Sequence, residues 1–166
     1  MNQRYKQLIK WALYAALFLA VMLVQTVVFG RMRFGGVKID LLPVVVTCIG
    51  LWTGHEAGGL FGLIAGLVWS WTGADDGALA IVSFTLMGVL AGWLCDAVFS
   101  RRFFPALFLC LAAGLAHALA QFLLKFYLQD AAGSLLVWVP VTAGLSTLAA
   151  PVLYLLAKAI GKVGEA

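Results

Sequence analysis

The chain has 166 residues, of which 64% are hydrophobic and 11% are charged, and its mean hydropathy is +1.04. A soluble domain is about 25% charged, and one this small could not bury so much apolar surface. The composition therefore excludes a water-soluble globular protein, a disordered tail and a nucleic-acid-binding domain. It indicates an integral membrane protein whose net charge of +4 faces the lipid headgroups of the bilayer.

Long uncharged runs define the predicted elements. Six runs contain no Asp, Glu, Lys or Arg, and five are long enough to cross a bilayer, which takes about 20 residues. They predict helices at 8–29, 40–53, 57–72, 78–99, 103–126 and 134–160. The expected fold is all-α, a bundle of six transmembrane helices forming a single domain over 1–166.

The first predicted helix resembles a signal peptide at its basic start, with Arg4, Lys6 and Lys10 ahead of an apolar run. That run has 20 residues, longer than the 7–15 or so of a signal sequence. We therefore interpret it as a retained transmembrane helix.

The second and third predicted helices are short. Two crossings are favoured, and a re-entrant hairpin is the alternative. Asp40 reads as the N-cap of the second helix, with Pro43 in its first turn. In the last helix, Pro140 and Pro151 are expected to cause a kink.

Basic residues suggest an orientation. With six crossings both termini share a side, and that side carries seven of the 11 basic residues: Arg4, Lys6, Lys10, Arg101, Arg102, Lys158 and Lys162. The positive-inside rule then places both termini in the cytoplasm. The first loop argues against this placement, because it contains Arg31, Arg33 and Lys38.

Small residues recur at four-residue steps, which places them on one helix face. The glycines are Gly50, Gly54, Gly58, Gly62, Gly66, Gly88 and Gly92, and the first helix has Ala12, Ala16 and Ala20. Such faces let helix backbones approach closely. They predict tight packing among helices two, three and four, or docking of a partner's transmembrane helix.

Four polar residues interrupt the apolar runs: Gln25, His117, Gln121 and Lys125. One interpretation is interhelical hydrogen bonding, with Lys125 extending to the interface. The other is a ligand pocket or proton path. The spacing reveals no Ser/His/Asp set, and Ser70 and Ser83 are lone serines. We therefore expect no enzymatic activity, no cofactor and no metal site.

The residues between 40 and 92 carry a family resemblance. They read Asp40-Leu41-Leu42-Pro43, then Gly50-Leu51-Trp52-Thr53-Gly54, then a glycine-rich helix from Gly58 to Leu67, then Thr85-Leu86-Met87-Gly88-Val89-Leu90-Ala91-Gly92. This pattern, with Gln25 about one loop ahead, resembles the rod-shape-determining protein MreD family. The chain departs from that family at Ser70, which stands near the place where the family commonly has an Asp.

The resemblance implies a non-enzymatic subunit of the bacterial elongasome in the inner membrane. Members of the family associate with MreC and, through it, with MreB and the peptidoglycan synthase of the lateral wall. The implied role is a scaffold in the control of cell shape and of peptidoglycan synthesis.

The alternative is a substrate-binding S component of an energy-coupling-factor vitamin transporter, a class whose helical layout MreD resembles. Such proteins dock a coupling subunit through a small-residue face on helix one, which Ala12 and Ala16 fit loosely. His117, Gln121 and Lys125 would then line an outward ligand pocket.

Overall fold

The computed structural model describes residues 3–29, 39–72, 77–97, 103–129 and 136–165. Its helices are α1 (Gln3–Val24), α2 (Leu42–Thr53), α3 (His55–Trp71), α4 (Gly77–Ala97), α5 (Phe103–Gln129), α6 (Trp138–Thr147) and α7 (Ala150–Glu165). A π-helical turn, Gln25–Phe29, extends α1. These ranges contain no strand, which confirms the all-α class.

Helix length limits how many elements can cross a bilayer unaided. Three spans are long and apolar enough, at Arg4–Val28, Gly77–Ala97 and Phe103–Tyr127, and α6 with α7 makes a fourth if the bent pair counts as one. The 12 residues of α2 cover only about 18 Å, against about 30 Å of hydrocarbon. A membrane helical bundle is thus supported, and six crossings stay a prediction.

The core of the bundle is α2. Every residue from Leu42 to Trp52 is buried, and α1, α3, α4, α5 and α7 all pack against it. The helix is apolar on every face, so no side of it requires contact with water. A helix enclosed by protein in this way does not need to meet lipid along its length.

Glycines bring α2, α3 and α4 into backbone contact. A Cβ built on Gly58 would lie 2.7 Å from the carbonyl oxygen of Gly88 and 2.9 Å from the Cα of Gly50. We call this contact the glycine seam; its members are Gly50, Gly58, Gly62, Gly66, Gly88 and Gly92. Gly62 meets the backbone of Phe84, and Gly66 meets that of Ile81. Any larger residue at these positions would force the helices apart.

Gly54 alone joins α2 to α3. Its φ of 85° lies in the left-handed region that favours glycine, and its backbone contacts Gly92 on α4. The chain therefore reverses direction in one residue, which sets α3 against both α2 and α4. The turn and the glycine seam hold these three helices as one unit.

The last predicted helix, 134–160, is corrected by the structure, which describes it from residue 136. It is two helices, α6 and α7, bent by 43°. The break lies at Leu148 and Ala149, and both prolines sit in first turns: Pro140 in α6 and Pro151 in α7. Proline lacks the N–H that a helix interior needs but is tolerated in a first turn. Pro140 therefore makes no kink, and Pro151 begins the new helix.

The first and last helices lie side by side and run in opposite directions. The hydroxyl of Tyr14 on α1 donates to the carbonyl of Ala157 on α7 at 3.3 Å. At the other end of α1, Gln25 contacts the segment before α2. The described ends of the chain thus meet at one end of the bundle, away from Asp40.

Candidate functional site: a polar cluster around His117

Polar side chains from five parts of the chain meet where α2 begins. We call them the His117 cluster; its members are Gln25, Asp40, Ser83, His117, Gln121 and Ser146. They come from the π turn after α1, the segment before α2, and helices α4, α5 and α6. Inside an apolar bundle an unpaired polar group is costly, so grouping them lets each satisfy another.

His117 occupies the centre of the cluster and is 2% exposed. Its Nδ1 atom lies 2.9 Å from the hydroxyl oxygen of Ser83 on α4. Its Nε2 atom lies 3.0 Å from the side-chain amide nitrogen of Gln121 and 3.3 Å from Oδ2 of Asp40. The ring also packs on Phe84, with 5.4 Å between centroids. Both ring nitrogens therefore have polar neighbours within the chain.

Asp40 links the cluster to the start of α2. Its Oδ1 accepts the N–H of Leu42 at 3.2 Å, and its own N–H donates to the hydroxyl of Ser146 at 3.1 Å. The N-cap position itself belongs to Leu41, which has no side-chain capping bond. The prediction that Asp40 is the N-cap is therefore wrong by one residue. The carboxylate acts from the preceding position, as in an Asx turn.

Gln25 fixes the backbone on both sides of Asp40. Its side-chain amide nitrogen donates to the carbonyl of Ile39 at 2.6 Å, and its amide oxygen accepts the N–H of Leu41 at 3.1 Å. The side chain is 8% exposed. A single glutamine thus forms hydrogen bonds with two backbone groups that have no hydrogen-bond partner within a helix. This contact ties α1 to the entry of α2.

The hydrogen bonds allow more than one placement of protons. Nε2 of His117 either donates to the carboxylate of Asp40 or accepts from the amide of Gln121, according to the tautomer. The hydroxyl of Ser83 can donate to the carbonyl of Leu79 at 2.8 Å or to that of Ala80 at 3.4 Å. It also lies beside Nδ1 of His117, which donates or accepts according to the tautomer. The imidazole therefore connects Ser83 on one side to Asp40 or Gln121 on the other.

The imidazole of His117 lies between the hydroxyl of Ser83 and the carboxylate of Asp40, so the expectation that Ser83 is a lone serine is wrong. The two ring nitrogens are reversed relative to a catalytic triad, in which Nε2 faces the serine and Nδ1 faces the carboxylate. Ser83 also bonds the carbonyl of Leu79 in its own helix, and Gln121 shares Nε2 of His117. These further bonds make the set a hydrogen-bonded link between α4, α5 and the start of α2.

The remaining predicted residues lie elsewhere. Lys125 is exposed near the end of α5 and is not a member of the cluster. The small-residue face of α1 is exposed at all three of its alanines, Ala12, Ala16 and Ala20. The glycine seam, in contrast, is occupied by contacts among α2, α3 and α4. Arg31, Arg33, Lys38, Arg101 and Arg102 lie outside the described residues.

Metal-ligating residues do not gather into a site within the ranges that the structure describes, where no three of His, Cys, Asp and Glu could hold an ion. The sulfurs of Cys48 on α2 and Cys110 on α5 lie 3.6 Å apart. Both are buried. Two sulfurs without further ligands fit packing between helices.

Sequence reasoning missed Ser83 and Ser146 as members of the cluster. Ser83 lies three residues after Ala80 and four before Met87, both on the buried face of α4. Ser146 follows buried Ala143 by three residues on α6. The helical period could have placed both serines inward, but it could not have paired them with residues of other helices.

Comparison with protein-family models, with curated proteins and with solved structures finds no match to this chain.

Proposed function

We propose that this chain is a non-enzymatic scaffold subunit of the bacterial cell-elongation machinery. In this role it packs against an MreC-like membrane protein and, through it, serves MreB and the peptidoglycan synthase of the lateral wall. One observation carries the proposal. The glycines that carry the resemblance to MreD are also those at which the backbones of α2, α3 and α4 touch, such as Gly58 and Gly88.

The interior of the bundle favours a scaffold protein over a protein that binds and carries a small molecule. Its centre is filled by α2, whose apolar residues are buried on every side. The intramembrane polar groups Gln25, His117 and Gln121 are bonded to other parts of the same chain. These contacts fix five elements of the chain to one another. A bundle held together in this way suits a scaffold to which a partner protein binds.

The surface for the partner is the alanine face of α1, which consists of Ala12, Ala16 and Ala20. All three residues are exposed, whereas the glycine seam is already occupied. Small residues at four-residue steps allow a single transmembrane helix to approach closely. The bitopic MreC-like partner supplies one such helix.

We further propose six crossings in the bacterial inner membrane, with both termini in the cytoplasm. The short α2 can stay at membrane depth because protein surrounds it. Arg4, Lys6 and Lys10 of α1 and Lys158 and Lys162 of α7 lie at the same end of the bundle. That distribution of positive charge favours the cytoplasm, and alkaline phosphatase fusions after residues 72 and 129 would test it.

The decisive experiment is purification of the tagged chain from bacterial membranes, followed by mass spectrometry. We expect an MreC-like protein to co-purify with the wild type and to be lost from Ala12→Leu/Ala16→Leu. The matched control is Ala112→Leu/Ala116→Leu, which adds the same bulk to two exposed positions on α5.

Each outcome decides between candidates. Absence of wall-elongation proteins from the wild-type eluate would overturn the scaffold proposal. Recovery of a coupling subunit with a pair of ATPases would instead establish the alternative, an S component of a vitamin transporter. Equal loss of the partner from both double variants would remove the alanine face as the docking surface.

A further inference from the structure

Two pairs of lysines lie at the end of the bundle where α1 begins and α7 ends. We call them the basic seam: Lys6 and Lys10 on α1, and Lys158 and Lys162 on α7. Lys6, Lys10 and Tyr14 are four residues apart, so they share one face of α1. Because Tyr14 contacts α7 through Ala157, this face of α1 is directed towards α7.

The two lysines of α7 lie next to the residues through which α7 contacts Tyr14. Ala157 and Gly161 are the buried residues next to Tyr14, and Lys158 and Lys162 directly follow them in the chain. The ammonium nitrogen of Lys10 lies 5.9 Å from the centre of the Tyr14 ring. Both lysine pairs therefore lie at the end of the bundle where α1 begins and α7 ends.

The basic seam has an excess of positive charge. The described side chains at this end include five basic residues, counting Arg4, and two carboxylates, Glu56 and Asp96. Both of those carboxylates lie near His55, within 3.9 and 3.6 Å. Among the described residues, no ion pair joins a lysine of the seam to a carboxylate. The N-terminus of α1 adds the positive end of its helix dipole.

The depth of the seam matches the headgroup layer. Lys6, Lys10 and Lys158 are half-buried, as is typical of lysines whose aliphatic stems pack on protein near a membrane interface. Trp11 is 37% exposed one residue after Lys10, and tryptophan favours the interface between hydrocarbon and water. Cations placed there meet lipid phosphates.

We propose that the basic seam binds the phosphate headgroup of an anionic phospholipid in the leaflet at this end of the bundle. Each helix supplies two of the four lysines, and Lys10 and Lys158 are half-buried lysines of α1 and α7 respectively. The site is independent of the protein partner, so it can fail without affecting the scaffold proposal.

The test is native mass spectrometry of the full chain, released from nanodiscs that contain equal amounts of phosphatidylglycerol and phosphatidylcholine. We expect the wild type to retain phosphatidylglycerol preferentially. Lys10→Gln and Lys158→Gln should each lower that preference about fivefold, the factor for one lysine near an anionic surface. Lys125→Gln, which removes an exposed lysine at the other end of the bundle, should leave it unchanged.

Two results would overturn the site. One is an unchanged preference in Lys10→Gln and Lys158→Gln, and the other is an equal fall in Lys125→Gln, which would reflect net charge alone. Thermal unfolding in phosphatidylcholine nanodiscs controls for folding of the three variants. A second readout is the rise in melting temperature on adding phosphatidylglycerol, which should be smaller in both seam variants.

Discussion

The Nδ1 atom of His117 lies 2.9 Å from the hydroxyl oxygen of Ser83, and this contact joins α5 to α4 inside the bundle. On the other side of the ring, Nε2 lies 3.3 Å from the carboxylate of Asp40. One imidazole thus connects three elements that are remote in the chain. Its removal would leave a hydroxyl and a carboxylate without their histidine partner in an apolar surrounding.

Replacement of His117 should therefore destabilise the bundle. We expect His117→Ala to lower the free energy of unfolding by about 1 to 3 kcal/mol, the cost of leaving buried polar groups unsatisfied. Thermal unfolding in detergent measures the change. The control is Lys125→Ala on the same helix, which should stay within about 0.5 kcal/mol of the wild type. Equal stability of the two variants would show that the cluster does not hold the helices together.

The glycine seam predicts a steric effect. A Cβ on Gly88 would collide with the carbonyl of Gly58, so Gly88→Ala should separate α3 from α4. We expect a loss of about 1 to 3 kcal/mol, typical of overpacking, measured as a lower melting temperature.

Gly144→Ala is the matched control for the seam. A Cβ at Gly144 has nothing within 4 Å, and alanine favours a helix over glycine by about 1 kcal/mol. This variant should be as stable as the wild type or slightly more stable. If Gly88→Ala behaves in the same way, the close contact between α3 and α4 is absent.

The sulfurs of Cys48 and Cys110 should form a disulfide on oxidation. They lie 3.6 Å apart, and a bond at about 2.0 Å requires only a small approach of α2 to α5. Iodine would take one electron from each sulfur and release two protons and two iodide ions. In a Cys95→Ala background, maleimide labelling after denaturation should fall from two thiols to none.

A variant with a single thiol, Cys48→Ser/Cys95→Ala, tests the specificity of that reaction. Its remaining Cys110 has no cysteine partner and should stay reactive towards maleimide. Persistence of both thiols in the oxidised two-cysteine protein would place α2 and α5 further apart than the structure does.

The non-enzymatic proposal predicts that Ser83 is not an activated nucleophile. Its hydroxyl can donate to the carbonyl of Leu79, which withholds the proton from His117. We expect a fluorophosphonate probe, which labels activated serines, to leave the purified chain unmodified. Labelling of the wild type that disappears in Ser83→Ala would contradict the proposal and indicate a hydrolase.

Local patterns predicted much of this fold because they act within one helix. The four-residue steps of Gly58, Gly62 and Gly66 follow from the helical period. The glycines of α4, such as Gly88, could be predicted to form another glycine face. The sequence did not indicate which residues of α2 and α3 that face contacts. Boundaries were less predictable: α1 begins at Gln3 rather than residue 8, since its polar first turn still forms helix.

The candidate site was predicted only in part. The spacing predicts that His117, Gln121 and Lys125 share a helix face, and the first two lie in the cluster, whereas Lys125 lies outside it. Asp40 was assigned a capping role, and Ser83 none, because their importance arises from contact with His117. Residues of different helices cannot be paired without knowing how the helices pack.

Composition and spacing by themselves predicted an all-helical chain with helices apolar enough to cross a membrane, the approximate positions of most of those helices, and which helix faces carry small residues. These properties depend on the free energy of apolar surface and on the helical period, which operate over neighbouring residues. Only the tertiary structure decided that α2 is enclosed, that the last helix is two helices, and that a serine, a histidine and a carboxylate meet. Those outcomes depend on contacts between distant segments, where the fit of one surface against another selects the arrangement.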